Sequence, residues 1–253
     1  MKVWQTRSGY KIIQLLKHRS NVFLLTDGKI NILIDTSTKT EWLRFQIALK
    51  TLKITHIEYL ILTHAHFDHV GNAYKIKHRY NPVVIIHKRE ASLLQEGKVV
   101  LGKGTNLITR FIVRFIGRKW IPRLKFDPCP YDVMVGSYYS LKEIGFNAYI
   151  LHTPGHTSGS VSVIIDEQIA LVGDTMFGVS RRSVYPPYAN NPKVLIRSWK
   201  KLLSTHCNIF IPSHGTANTR RLLQRSYRRK KHKLHPFFNR HSRKNIDSSN
   251  DEE

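Results

Sequence analysis

Residues 57–69 read Ile57-Glu58-Tyr59-Leu60-Ile61-Leu62-Thr63-His64-Ala65-His66-Phe67-Asp68-His69, and their pattern decides the fold. The opening run, 57–63, is dominated by apolar and β-branched residues and predicts a buried strand. The run that follows holds four metal-capable side chains in six residues. Along extended backbone His64 and His66 point to the same side. Asp68 and His69 fall where the chain leaves the strand for a helix, so they can aim at a second point nearby. Unpaired imidazoles and carboxylates are costly to bury, and bound cations remove that cost.

Histidine is common here, 14 in 253 residues, so one cluster does not decide the matter. The pattern recurs at the ends of three later predicted strands. His156 lies in Thr153-Pro154-Gly155-His156-Thr157, Asp174 in Leu171-Val172-Gly173-Asp174-Thr175, and His214 in Ile211-Pro212-Ser213-His214-Gly215. Each has a glycine beside it that lets backbone and ligand approach closely. Five histidines and two aspartates without a thiolate suit zinc, iron or manganese, and seven ligands exceed one tetrahedral ion. The count fits two metals that share a bridging carboxylate.

Around these residues the chain alternates strands and helices twice. Strands are predicted at 10–16, 21–25 and 30–34, with Thr26-Asp27-Gly28-Lys29 as a hairpin turn, then a helix at 38–52. A helix at 70–80 and a strand at 82–87 follow the first cluster. The second half predicts strands at 146–152, 160–165, 168–172 and 208–212, with a helix at 192–206 started by Pro192. Residues 1–216 are expected to form the catalytic domain, and 88–141 a basic helical insertion. Residues 217–253 are expected to form a basic helix and mobile tail. Within the insertion, Asn106–Trp120 pairs apolar residues with Arg110, Arg114 and Arg118 at a four-residue interval. That amphipathic helix can pack on the domain, cover a substrate as a lid, or lie on a membrane surface.

Net charge is +24 and uneven, with 11 Lys/Arg and no acid between Ala217 and Lys244. Such a field attracts nucleic acid, anionic lipid or anionic substrates without choosing among them. Cys129 and Cys207 stand far apart, which excludes a disulfide framework. No apolar run reaches spanning length, and the N-terminus lacks the apolar segment of a secretory signal, so a cytoplasmic location is expected.

The set His64, His66, Asp68 and His69, followed in order by His156, Asp174 and His214, resembles the metallo-β-lactamase fold superfamily from about Tyr10 to Gly215. The resemblance implies an α/β chain folded as an αββα sandwich, two mixed β-sheets flanked by helices, with the metals at one edge. By position it places His64, His66 and His156 on the first metal, and Asp68, His69 and His214 on the second. Asp174 would bridge two divalent ions, zinc favoured over iron or manganese. Flavodiiron reductases have Glu where His66 stands, and true β-lactamases usually lack the acid of Asp174. Glyoxalase II resembles the chain in its ligand set and in Gly173-Asp174-Thr175-Met176-Phe177, but little chain remains here for its glutathione-binding domain. The long interval between His69 and His156 resembles the quorum-quenching lactonases, which carry a Tyr near the bridging Asp where this chain has Phe177.

The resemblance therefore implies a dinuclear hydrolase that cleaves an ester-like bond, a lactone or thioester, with a metal-bridging hydroxide. Asp68 would orient that hydroxide and then carry a proton. Tyr185 and Tyr188, and the apolar wall of Phe111 and Phe115, are candidate substrate contacts. The expected partner is a small acyl, lactone or thioester molecule. Nucleic acid as the partner of a phosphodiesterase, and hydrolysis of a β-lactam, are the alternatives; peripheral membrane contact is also compatible with the charge.

Overall fold

Strands β1 (Lys2–Gln5), β2 (Lys11–Leu16), β3 (Val22–Thr26), β4 (Asn31–Ile34), β5 (Tyr59–Ile61), β6 (Val83–His87) and β7 (Val133–Val135) lie side by side in that order. The first four pair antiparallel, and β4 to β7 run parallel. A second sheet runs β8 (Tyr138–Ser140), β9 (Ala148–His152), β10 (Val161–Ile165), β11 (Ile169–Leu171), β12 (Ile209–Ile211) and β13 (Asn218–Thr219). Only β11 and β12 pair in parallel there. The computed structural model describes residues 1–100, 104, 105, 109, 111, 115 and 124–231.

Strand periodicity divides each sheet between two cores. Ile12, Phe23, Leu25, Ile32, Ile34, Ile61 and Ile85 meet Ile150, Val161, Val163 and Ile165 between the sheets. Their neighbours Leu24, Leu33, Leu60 and Val84 face outward and are covered by α1 (Trp42–Thr51), α3 (Ala73–Tyr80) and α4 (Ala91–Glu96). Across the molecule Ile164, Ala170 and Phe210 are covered by α5 (Pro192–Ser204), through Leu195, Trp199 and Leu202, and by Leu223 of α6 (Arg220–Lys231). The result is helix, sheet, sheet, helix, the layering expected from the motif.

Two departures from the sequence reading have physical causes. The helix predicted at 70–80 begins as a separate turn, α2 (Phe67–Val70), before α3. Asn72 at the break donates its side-chain amide to the carbonyls of Thr36 and Thr38, at 2.9 and 2.6 Å. The backbone of that loop passes so close that a Cβ on Gly71 would fall 2.6 Å from the Ser37 carbonyl oxygen. Residues 88–141, expected as an insertion, also supply α4, β7 and β8, the last two being edge strands of the two sheets. Most of the helix expected at 106–120, and the tail beyond 231, lie outside the described residues. No helix among the described residues is long and apolar enough to cross a membrane.

The start of α5 presses on the loop that carries His156. Asn191 caps the helix, accepting from the Val194 N–H at 3.1 Å, and Pro192 opens its first turn. Gly155 has φ +132°, and a Cβ there would lie 2.3 Å from the Leu195 nitrogen, so only glycine fits.

Arg220, one of the basic residues counted after Ala217, has a structural role. Its guanidinium donates to the carbonyls of Leu203, Thr205 and Cys207 at 2.5, 2.8 and 2.9 Å, tying α6 to the C-terminal end of α5. Arg220→Ala should lower stability in urea denaturation by about 2–3 kcal/mol, because three carbonyls lose a charged donor. Arg220→Lys should recover only part of that, since an ammonium cannot reproduce the planar fork.

Candidate metal centre

The seven candidate ligands arrive at one edge of the sandwich because each follows a strand that ends there. His64, His66, Asp68 and His69 leave β5, His156 follows β9, Asp174 follows β11, and His214 follows β12. Burial of the strands fixes their ends, so the fold sets the spacing of the loops.

The ligand atoms fall into overlapping groups within 4.8 Å: His64, His66 and His156; His64, His69 and Asp174; Asp68, His69 and His214. In the first, Nδ1 of His66 faces Nε2 of His64 and Nε2 of His156, each at 3.0 Å. One proton on His66 Nδ1 cannot point along both contacts, whereas a cation accepts all three lone pairs. In the third, Nε2 of His214 lies 3.3 Å from Asp68 Oδ2, and Nε2 of His69 lies 3.8 Å from the same oxygen. Asp174 faces both ends, with Oδ2 3.4 Å from His156 Nε2 and 3.5 Å from His214 Nε2, and Oδ1 3.6 Å from His69 Nε2. His66 Nε2, His69 Nε2 and Asp174 Oδ1 are buried without a hydrogen-bond partner. Buried polar atoms without partners are rare, and a cation that drew on the His69 and Asp174 atoms would satisfy them, so the residues fit a metal site.

The electrostatics separate the two ends. Burial, with the neighbouring His69 and His66, holds the His64 pKa well below its usual value. Burial and His156 push His66 down to about 3, and burial lowers His156. These three are kept neutral, the state in which an imidazole offers lone pairs. Burial also opposes a cation at His214, but Asp174 and Asp68 outweigh it and raise its pKa to about 10. His69 is raised in the same way by Asp174, Asp35 and Asp68 against its burial. Burial works against ionised Asp174, yet His214, His69 and His156 hold its pKa well below the usual carboxylate range. Positive charge is therefore drawn to the acid-rich end.

Three of the imidazoles are also oriented from behind. His156 donates from Nδ1 to the Tyr188 carbonyl at 3.0 Å. His69 donates from Nδ1 to Asp35 Oδ2 at 2.8 Å. The Thr63 hydroxyl donates to the same Asp35 oxygen at 2.8 Å, which leaves it to accept from His64 Nδ1 at 3.1 Å. Such contacts fix the tautomer and turn Nε2 toward the site. The Phe177 ring stacks on His214, centroids 4.7 Å apart.

Asp35 is the residue that the sequence reading missed. Only 1% exposed, it accepts from the Thr63 N–H at 2.8 Å and the Ser213 hydroxyl at 3.1 Å, beside its bonds to Thr63 Oγ1 and His69. One carboxylate thus binds the ends of β5 and β12, which belong to different sheets. Its only sequence signal was an acid directly after an apolar strand. Of the other candidates, Tyr188 contributes its carbonyl, and Tyr185 packs edge-on against Trp199 with Lys230 Nζ 4.4 Å from its ring centroid. Phe111 and Phe115 are 59% and 56% exposed and pack on one another, centroids 4.5 Å apart. Their rings are therefore not buried against the domain.

Comparison with known proteins gives the family. Residues 17–214 match the family described as the metallo-beta-lactamase superfamily. A probable metallo-hydrolase of Methanocaldococcus jannaschii is 31% identical over 166 residues, 65% of this chain and 71% of that protein. Hydroxyacylglutathione hydrolase GloC of Haemophilus influenzae is 29% identical over 218 residues, covering 83% of this chain and 92% of that protein. Among solved structures, TTHA1623 in a di-iron-bound form superposes with a TM-score of 0.60 and 27% identity, over 85% of this chain and 97% of that one.

Asp35→Asn tests the support behind His69. The amide offers one acceptor where two oxygens now serve four donors, so an N–H must face an N–H. Zinc titration against a competing chelator should show affinity at the Asp68, His69 and His214 group reduced by about 10- to 100-fold. Unchanged affinity would reduce Asp35 to a structural tie.

Proposed function

The chain belongs to the metallo-beta-lactamase superfamily, and from that premise we propose that it hydrolyses an ester-like bond, a lactone or thioester, at a pair of divalent metal ions. The observation that carries this reading is Asp174, whose carboxylate faces His156 and His214 at 3.4 and 3.5 Å. His64, His66 and His156 would hold one ion, Asp68, His69 and His214 the other, and Asp174 would lie between. Zinc suits the donors best, with iron next, since a 27% identical relative is described with two irons. Two such ions supply a water acidified to near-neutral pKa and positive charge for a carbonyl oxygen.

The chain's own residues do the rest. The side chains of Asp68 and His214 are 19% and 21% exposed, so substrate can approach past them. Asp68 is placed to orient the attacking water and to take its proton as the acyl carbon is attacked. Breaking the C–S or C–O bond then leaves a thiolate or alkoxide that receives a proton, giving an acid and a thiol or alcohol. The relationship to a hydroxyacylglutathione hydrolase over most of both chains supports the thioester. Phe111 and Phe115 would offer an exposed apolar surface to an acyl chain. The two cysteines, Cys129 and Cys207, are free and buried, which suits the reducing cytoplasm.

The test is a panel on zinc-loaded protein: homoserine lactones of short and long chain, lactoylglutathione, a cephalosporin reporter and an aryl phosphodiester. Turnover of lactone or thioester is expected, with Asp174→Ala losing turnover and metal together. Phe111→Ala and Phe115→Ala should raise KM for long chains only, by up to about 0.8 kcal/mol per methylene that loses its burial. Turnover of the phosphodiester alone, or of the cephalosporin alone, would contradict the reading.

One observation favours the phosphodiester as a second reading. No acid occurs between Asp174 and Asp247. Within that stretch Lys193, Arg197, Lys200 and Lys201 on α5 and Arg221, Arg225, Arg228 and Arg229 on α6 are exposed, and the two helices pack together. No large exposed hydrophobic side chain lies on either helix to anchor a membrane. If this face reads phosphates, affinity for a single-stranded oligonucleotide should fall steeply with salt, and Arg225→Ala should flatten the log–log slope by about 1. Weak binding that is indifferent to salt would remove this reading.

A further inference from the structure

Glu90 has no part in the chemistry above, yet it is a carboxylate only 1% exposed at the N-terminal end of α4. Among the described residues it forms no ion pair, and both oxygens accept from backbone. Oε2 accepts from the Ala65 N–H at 3.1 Å, and Oε1 accepts from the Gly159 N–H at 2.9 Å. Ala65 stands between His64 and His66, and Gly159 lies three residues after His156. The first loop leaves the first sheet, and the second joins β9 to β10 of the other. The fit is close, for a Cβ on Gly159 would lie 2.5 Å from Glu90 Cγ and 2.9 Å from its Oε1.

We propose that Glu90 is a positioning residue that sets the distance between the two loops carrying His64, His66 and His156. The inference rests on the reading that those three histidines hold one metal ion. A carboxylate suits the task because it presents two acceptors to two N–H groups that, among the described residues, bond to nothing else. A helix start anchored in the first core, through Ala91 and Leu94, supplies the rigid base. Support from behind a ligand shell typically changes metal affinity by about 10- to 100-fold.

The experiment separates the two ends of the site. A His214→Ala background leaves the three-histidine group for zinc titration, and a His156→Ala background leaves the Asp68 and His69 end. Glu90→Gln keeps size but turns one acceptor into a donor, so one N–H must face an N–H. It should weaken zinc binding about 10- to 100-fold in the first background and by less than about threefold in the second. Gly159→Ala, which crowds the same carboxylate from the other side, should give the same selective loss if Glu90→Gln does not fold. Leu94→Ala, a core truncation on the same helix, should lower the melting temperature without this selectivity. Equal affinity in the first background, or equal losses in both that match Leu94→Ala, would overturn the proposal. Wild-type protein that binds no zinc would overturn the metal reading itself, and the role of Glu90 with it.

Discussion

Asp174 is a carboxylate buried to 4% exposure among His69, His156 and His214. Such a charge is tolerated only when positive charge or donors face it from several sides. Here those sides belong to three separate segments of the chain. His69 comes from the first sheet, and His156 and His214 from two loops of the second. The two halves of the sandwich therefore have to close on one another for this acid to be satisfied. A divalent cation on either side of the carboxylate would meet the same requirement more completely, because the buried atoms His69 Nε2 and Asp174 Oδ1 would also acquire partners.

The rest of the structure holds this arrangement from behind. Asp35 ties the end of β5 to the end of β12, and the Tyr188 carbonyl holds His156. The segment that supplies that carbonyl is itself clasped, since Thr105 donates its hydroxyl to Pro186 and Pro187 and its N–H to Pro187. On the far side the Trp199 indole donates to the Thr175 carbonyl at 2.8 Å, next to Asp174. His64, His69 and His156 thus stand on hydrogen bonds to Thr63, Asp35 and the Tyr188 carbonyl, and the layers that carry these partners are fixed by apolar burial.

The residues that face one another were legible where the chain writes them close together. Four ligands in six residues after an apolar strand form a pattern, and the later three could be recognised because each also ends a strand. Asp35 was not legible, since a single acid after a strand is common and its partners lie 28 to 178 positions away. Glu90 was hidden for the same reason, in a stretch expected to be a basic helical insertion. Strands β7 and β8 have three residues each, too short for a periodic signal, and only pairing with β6 and β9 makes them strands. Arg220 sat in a run of like charges, where composition cannot separate a half-buried clamp from exposed neighbours. Tertiary contacts decided all of these.

In the proposed reading one edge of the sandwich would hold two metal ions with Asp174 between them. Anomalous diffraction at the zinc edge, from crystals of zinc-loaded protein, tests it directly. Two peaks are predicted, one among His64, His66 and His156 and one among Asp68, His69 and His214, with the Asp174 carboxylate between them. A single peak, or density that leaves Asp174 unliganded, would contradict the account.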